Sequence, residues 1–83
     1  MEIKILGPGC RNCEKLVEET KLAAKEAGCT AEVIKVTDMK QIMSYGVMNT
    51  PGLVINGKVK SYGRIPSVKE IKKWIEESLK ENN

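Results

Sequence analysis

The sequence contains no histidine and no phenylalanine, and its aromatic residues are one tryptophan and two tyrosines among 83 residues. Histidine is the side chain that ordinarily titrates near neutral pH and the commonest metal ligand, so acid–base and metal chemistry lack their usual residue. A formal charge of +3 without a basic stripe does not predict nucleic-acid binding. No segment approaches the roughly 20 consecutive apolar residues of a membrane-spanning helix, so no membrane partner is predicted.

The chain has three cysteines, which is an odd number. An odd count is not typical of a small secreted domain held together by disulfides, and the chain begins with a predicted strand instead of a signal sequence. We therefore predict a single cytoplasmic domain over residues 1–83. Its chemistry is expected to depend on sulfur, with no cofactor and no metal ion.

Two of the cysteines, Cys10 and Cys13, form a C-x-x-C motif at the junction between a predicted strand and a predicted helix. If the helix begins near Cys10 or Arg11, then Cys13 lies one turn further on the same face, within reach of a disulfide. The unpaired N–H groups and partial positive charge of a helix N-terminus favour a thiolate at Cys10. The motif therefore predicts one activated, exposed sulfur and one recessed sulfur.

Hydrophobic periodicity and turn residues predict the order strand, helix, strand, helix, strand, strand, helix. Before the first helix, Gly7 and Gly9 are predicted to adopt backbone angles that other residues avoid. A strand–helix–strand unit of this length predicts a right-handed crossover and parallel pairing of the first two strands. The Asn56-Gly57 pair suits a type I′ turn and predicts an antiparallel hairpin. The predicted strands cover 2–6, 31–36, 52–55 and 58–62. The first predicted helix runs from the motif to Gly28, the second begins after a cap at Asp38 and ends before Gly46, and the third runs onwards from a capping box of Ser67 and Glu70.

This order, with C-x-x-C after the first strand and Thr50-Pro51 just before the third, resembles the minimal thioredoxin fold of thioredoxins and glutaredoxins. The resemblance covers essentially the whole chain, whose length is similar to that of the small thioredoxin-like redox-active disulfide proteins. It implies an α/β fold in which three helices flank a four-stranded mixed sheet.

The resemblance also implies a role for each residue that matches the family pattern. Cys10 would be the attacking thiolate, and Cys13 would be the resolving thiol. Pro51 would be a cis-proline that faces the disulfide, and Thr50 would offer its backbone to the substrate chain. Gly63, after the fourth strand, would leave room for substrate beside the active site.

Several positions depart from the family pattern. Thioredoxins usually have tryptophan before the first cysteine and Gly-Pro between the two, where this chain has Gly9 and Arg11-Asn12. The second strand offers no counterpart of thioredoxin's buried acidic residue, because Glu32 and Lys35 occupy positions predicted to be exposed. Residues 61–65 lack the Gly-Gly and following Asp that glutaredoxins use for glutathione. Glutathione is therefore not predicted as the reductant.

The leading hypothesis is a thiol–disulfide oxidoreductase that acts on protein disulfides. Its predicted partners are protein disulfide substrates and a thiol or flavoprotein reductase, and the chain is predicted to act as a monomer. The alternative is a carrier of Cu(I) or another soft metal on the same two thiolates, as in small copper-chaperone domains. The Thr50-Pro51 step and the ending on a helix favour the oxidoreductase. Cys29, past the predicted end of the first helix, is predicted to be a small inert thiol.

Overall fold

The computed structural model describes residues 1–9 and 11–81. Its strands and helices follow the predicted order, and their ends lie close to the predicted ones. Asp38 is the N-cap of the second helix, as predicted, and Tyr45 is its C-cap, directly before the predicted end at Gly46. The elements are β1 (Glu2–Leu6), α1 (Arg11–Glu26), β2 (Glu32–Val36), α2 (Met39–Ser44), β3 (Gly52–Ile55), β4 (Lys58–Tyr62) and α3 (Val68–Glu81).

The strands form a four-stranded mixed sheet in the order β2-β1-β3-β4. β1 pairs in parallel with β2 and antiparallel with β3, and β3 pairs antiparallel with β4. These pairings confirm the predicted α/β class, the parallel crossover and the hairpin. Leu6, the last residue of β1, lies opposite Gly52, the first residue of β3. The segment after β1 and the segment before β3 therefore meet at one end of the sheet.

The sheet carries a hydrophobic core on each face. Ile3 and Ile5 of β1 pack into a core that also takes buried residues of α1 and α3. Leu6 packs into a second core with Ile42 of α2 and with Val54 of β3. Because successive strand residues point to opposite faces, α1 and α3 lie on one side of the sheet and α2 on the other.

The predicted turn between β3 and β4 and the predicted capping box of α3 are both confirmed. Asn56 has a φ of 49° and Gly57 has a φ of 82°, as a type I′ turn requires. At the start of α3, the Ser67 hydroxyl accepts a hydrogen bond from the Glu70 N–H at 3.2 Å, and the Glu70 carboxylate accepts one from the Ser67 N–H at 3.2 Å. A register shift between Leu53 and Val54 was not predicted.

Across residues 1–9 and 11–81, no helix is long and apolar enough to cross a membrane.

Candidate active site

The end of β1 is built closely against Cys13. The Gly7 N–H donates to the Val36 carbonyl at 2.9 Å, which continues the β1–β2 pairing by one residue. Gly7 is buried, and a Cβ at this position would overlap the Cys13 sulfur. The prediction for the two glycines is therefore half right, because Gly9 has a φ of 96° whereas Gly7 has no positive φ. Gly7 is needed for space beside Cys13, not for its backbone angles.

The cysteine motif falls where α1 begins. α1 begins at Arg11, so Cys13 lies in its first turn, close to the partial positive charge of the helix N-terminus. Cys13 is 4% exposed, as expected for the recessed sulfur of the pair. Cys10, predicted to be the attacking thiolate, lies outside the described residues, so its role stays a prediction.

The segment before β3 approaches the same point from across the sheet. The Thr50–Pro51 peptide bond is cis, which confirms the predicted conformation of Pro51. Pro51 is buried and Thr50 is half-buried. A Cβ on Gly7 would lie 3.9 Å from the Thr50 Cβ, on the side where it also meets the Cys13 sulfur. Cys13, Gly7 and the Thr50–Pro51 step thus converge, although they are far apart in the sequence.

Gly63 forms the outer border of this region. Its φ of 77° is one that other residues rarely adopt, and its N–H donates to the Pro51 carbonyl at 3.0 Å. The side chain of Asn49 lies over Gly63, so that a Cβ at position 63 would be 3.2 Å from the Asn49 Cβ. Sequence reasoning missed Asn49, whose one available signal was its place directly before Thr50-Pro51.

Two polar contacts attach the loops of the site to the rest of the fold. Lys4 on β1 donates to the Tyr45 hydroxyl at 3.0 Å, and this bond, followed by the one with Glu2, raises the pKa of Lys4. Tyr45 is the C-cap of α2, directly before the segment that leads to Pro51. The contact therefore holds the start of that segment against the central strand.

The second contact lies after Gly63. Arg64 donates to the Glu70 carboxylate at 3.0 Å, and this bond, followed by the one from the Ser67 backbone, lowers the pKa of Glu70. Since Glu70 is in the first turn of α3, the contact attaches the Gly63 segment to that helix.

The expected departure in β2 is confirmed. Glu32 and Lys35 are both exposed. Lys35 donates to the Glu14 carboxylate of α1 at 3.0 Å, so it takes part in a surface ion pair. Neither residue of β2 is a counterpart of the buried acidic residue of thioredoxins.

A cavity of about 410 Å³ lies in another part of the fold, and it contains the third cysteine. Cys29 is half-buried, packs against the core of α1 and α3, and has its sulfur 3.9 Å from the Met1 sulfur. Cys29 is a free thiol. None of the described site residues lines this cavity, whose wall is formed by Lys21, Ala24, Lys25, Cys29, Thr30, Ala31 and Val33. The candidate active site is therefore a surface formed by loops, and its residues come from other segments of the chain than those that line this cavity.

A cis-proline loop set against a cysteine in the first turn of α1, on a sheet of order β2-β1-β3-β4, defines the thioredoxin fold. The structure of thioredoxin 1 from the thermophilic eubacterium Thermosipho africanus TCF52B has this fold. It matches with a TM-score of 0.64 at 24% sequence identity, over 100% of this chain and 99% of that chain.

Sequence comparisons agree with the fold. The family model described as thioredoxin domain matches residues 1–76. The chain is 44% identical over 75 residues to a thioredoxin of Methanothermobacter thermautotrophicus, covering 90% of this chain and 97% of the relative. It is 40% identical over 77 residues to a thioredoxin of Methanocaldococcus jannaschii, covering 93% of this chain and 88% of the relative.

The chain belongs to the thioredoxin family. Thioredoxins are protein disulfide oxidoreductases, which act on protein disulfides and are reduced in turn by a reductase, so this chain is a thiol–disulfide oxidoreductase. The comparisons give no support to the alternative of a soft-metal carrier.

Proposed function

We propose that Cys10 and Cys13 are the redox pair of this oxidoreductase, with Cys10 attacking and Cys13 resolving. The observation that carries the proposal is the convergence of Cys13, Gly7 and the Thr50–Pro51 step at the start of α1. A cysteine in the first turn of a helix has the electrostatic environment that favours thiolate chemistry. The buried position of Cys13 suits a sulfur that attacks within the protein instead of meeting substrates itself.

The reaction proceeds by two thiol–disulfide exchanges. The Cys10 thiolate attacks one sulfur of the substrate disulfide, whose S–S bond breaks, and the other substrate sulfur leaves as a thiolate. Cys13 then loses its proton and attacks the Cys10 sulfur of the mixed disulfide. The remaining substrate sulfur leaves as the Cys10–Cys13 bond closes. Two electrons have then passed from the dithiol to the substrate disulfide.

The loops beside the cysteines supply the binding surface in this proposal. Thr50 would pair its backbone with an extended substrate segment, in the manner of a strand added to a sheet. The buried Pro51 would lie against the disulfide, and Gly63 would border the segment on the other side. The proposal is supported by the hydrogen bond from the Gly63 N–H to the Pro51 carbonyl, which keeps these two loops side by side.

The proposal extends to the setting of the reaction. We expect residues 1–83 to act as a single cytoplasmic domain and as a monomer, with a thiol or flavoprotein reductase as electron donor. The odd number of cysteines and the lack of a glutathione-binding pattern in 61–65 support this assignment.

The test compares three single cysteine variants in the reduction of insulin disulfides with dithiothreitol as the electron source. Cys10→Ser is expected to abolish the reaction, because no attacking sulfur remains. Cys13→Ser is expected to slow turnover strongly, because dithiothreitol must then cleave the mixed disulfide in place of Cys13. When the reduced Cys13→Ser protein is mixed with insulin after removal of the dithiothreitol, it is expected to accumulate a covalent mixed disulfide between Cys10 and insulin, visible by mass spectrometry. Cys29→Ser is the matched control and is expected to keep the wild-type rate within about twofold, since a Cys-to-Ser change at an inert site leaves the exchange chemistry intact.

Each outcome bears on the assignment. Activity that survives Cys10→Ser, or that is lost in Cys29→Ser, would contradict the assigned pair. A Cys13→Ser protein that turns over at the wild-type rate would show that Cys13 does not resolve the mixed disulfide.

A further inference from the structure

The side chain of Asn49 occupies the space above Gly63. A Cβ placed on Gly63 would lie 3.2 Å from the Asn49 Cβ and 3.6 Å from Asn49 Nδ2. The absence of a side chain at position 63 therefore gives Asn49 room to lie across the end of β4. In the family pattern, the space beside this glycine is left for substrate. In this chain, the Asn49 side chain fills part of that space.

That amide is available for binding. Asn49 is exposed, and within residues 1–9 and 11–81 its side chain takes part in no hydrogen bond. An asparagine amide carries two N–H donors and a carbonyl acceptor, which matches the acceptor and donor of a peptide main chain. Asn49 thus presents unused hydrogen-bonding groups at the border of the site.

The neighbours of Asn49 connect it to the Cys13 sulfur on one side and to Gly63 on the other. On one side, Thr50 approaches the point where Gly7 meets the Cys13 sulfur. On the other side, Gly63 is bonded to the Pro51 carbonyl. A substrate segment that pairs with the Thr50 backbone while its disulfide lies at the cysteines must then pass next to Asn49.

We propose that Asn49 is a substrate-binding residue, whose amide hydrogen-bonds the main chain of an extended polypeptide segment beside the substrate disulfide. This inference rests on the proposed function and adds a residue to its binding surface, which distinguishes polypeptide disulfides from small disulfides that do not reach Asn49. Because Asn49 is exposed and forms no internal hydrogen bond among the described residues, its contribution to folding is small and its contribution to binding can be measured separately.

The experiment measures kcat and KM of the wild-type protein and of Asn49 variants with two substrates, insulin and hydroxyethyl disulfide. Asn49→Ala removes the amide and its bulk, and Asn49→Leu removes the amide but keeps a side chain of similar size. Both variants are expected to raise KM for insulin by about 3- to 10-fold, the effect of one lost hydrogen bond. The kcat for insulin and both constants for hydroxyethyl disulfide are expected to stay at wild-type values.

A control variant tests whether any change near the loop has the same effect. Met43→Ala alters an exposed side chain of α2, 67% accessible, that is not next to Thr50. It is expected to leave both substrates unaffected. Thermal unfolding of each variant confirms that the fold is retained.

The outcomes separate this inference from the proposed function. A wild-type protein that reduces insulin, together with an Asn49→Ala protein of unchanged KM, overturns the inference alone. An Asn49→Leu protein with the wild-type KM for insulin also overturns the inference, because the size of the side chain and not its amide would then matter. An equal rise of KM for hydroxyethyl disulfide, or an equal rise of KM for insulin in Met43→Ala, overturns it as well. A wild-type protein that reduces neither substrate overturns the proposed function and the inference with it.

Discussion

The two ends of α1 each hold a cysteine, and the two cysteines have opposite surroundings. At the N-terminal end, Cys13 lies under Gly7 and next to the Thr50–Pro51 step. At the C-terminal end, Cys29 takes part in the helix cap: the Gly28 N–H donates to the Lys25 carbonyl at 3.1 Å, and the Cys29 N–H donates to the Ala24 carbonyl at 2.9 Å. This pair of bonds is a Schellman motif.

The comparison shows that the neighbours of a cysteine, more than its presence, define a site. Cys29 has a cavity beside it, but its backbone closes a helix and its sulfur packs against the core and Met1. Beside Cys13, by contrast, the segment after β1 meets the Thr50–Pro51 step, which is bonded in turn to Gly63. The cavity beside Cys29 therefore does not coincide with the candidate active site.

The largest expected effect comes from Gly7, which lies against Cys13 at the N-terminal end of α1. Gly7→Ala would place a methyl group on the Cys13 sulfur, and we expect it to lower the free energy of unfolding by about 1–3 kcal/mol. The reduction of insulin is expected to fall at least about tenfold, because displacement of a reacting group by about an ångström has effects of this size or more. Urea unfolding and the insulin assay measure the two quantities.

Gly28→Ala is the matched variant at the other end. Gly28 has a φ of 67° and open space around its Cα, so the substitution meets backbone strain and no neighbour. It is expected to cost about 1–2 kcal/mol of stability while the folded protein keeps its activity. If Gly7→Ala and Gly28→Ala each lost activity in proportion to the loss of stability, that result would contradict the described difference between the two ends of α1.

A smaller effect is expected from a second pair of glycines, Gly63 and Gly57. Both have positive φ, 77° and 82°, so an alanine at either position is expected to cost about 1–2 kcal/mol of stability. The added Cβ meets Asn49 at Gly63 and open space at Gly57. Gly63→Ala is therefore expected to raise KM for insulin about threefold, because it would displace the Asn49 amide from the hydrogen bond that we propose it forms with substrate.

The Gly57→Ala protein supplies the control for this prediction, since it carries the same backbone strain away from the loops of the site. Its KM is expected to equal that of the wild-type protein. If KM rose equally in Gly63→Ala and Gly57→Ala, the rise would result from a general loss of stability and would contradict the prediction for Gly63→Ala.

The smallest expected effect concerns the contact that holds the Gly63 segment to α3. Arg64 and the Ser67 N–H lower the pKa of Glu70 from its ordinary value of 4.5. A carboxylate with a lowered folded-state pKa stabilises the fold above the unfolded-state value, and that contribution is lost as the pH falls through the folded-state pKa. Glu70→Gln is therefore expected to lower stability slightly at neutral pH, and the difference from wild type is expected to vanish in acid below the folded-state pKa.

Urea unfolding at a series of pH values measures this difference. Glu76→Gln, an exposed glutamate on the same helix, is the control for the loss of one negative charge. A difference between Glu70→Gln and wild type that stays constant from neutral pH into acid would contradict the assigned contact.

Much of the fold could be predicted because its determinants are local. The alternating apolar residues of β1, the helical stripe of α1 and the Asn56-Gly57 turn each specify their own segment. The same holds for the capping box of Ser67 and Glu70, whose partners are three residues apart. The thioredoxin resemblance then allowed Thr50-Pro51 to be placed beside Cys13.

What could not be predicted depends on distances between segments. Gly7 looked like a glycine required for its backbone angles, and its contact with the Cys13 sulfur appears only when β1 and α1 are folded together. Asn49 carries no motif, and its relation to Gly63 depends on the bond between the Gly63 N–H and the Pro51 carbonyl. The register shift between Leu53 and Val54 likewise depends on strand pairing and left no local pattern.

The strand order β2-β1-β3-β4 has a consequence for self-association. It leaves β2 and β4 as the outer strands, whose unpaired main-chain groups could template the addition of a strand from another molecule. Lys35 of β2 and Lys58 of β4 are exposed on these strands, and desolvating their charges opposes such growth. Strand addition is thus opposed by charge along both sides of the sheet, which leaves the end that carries the Thr50–Pro51 step as the place where the proposed substrate segment can pair.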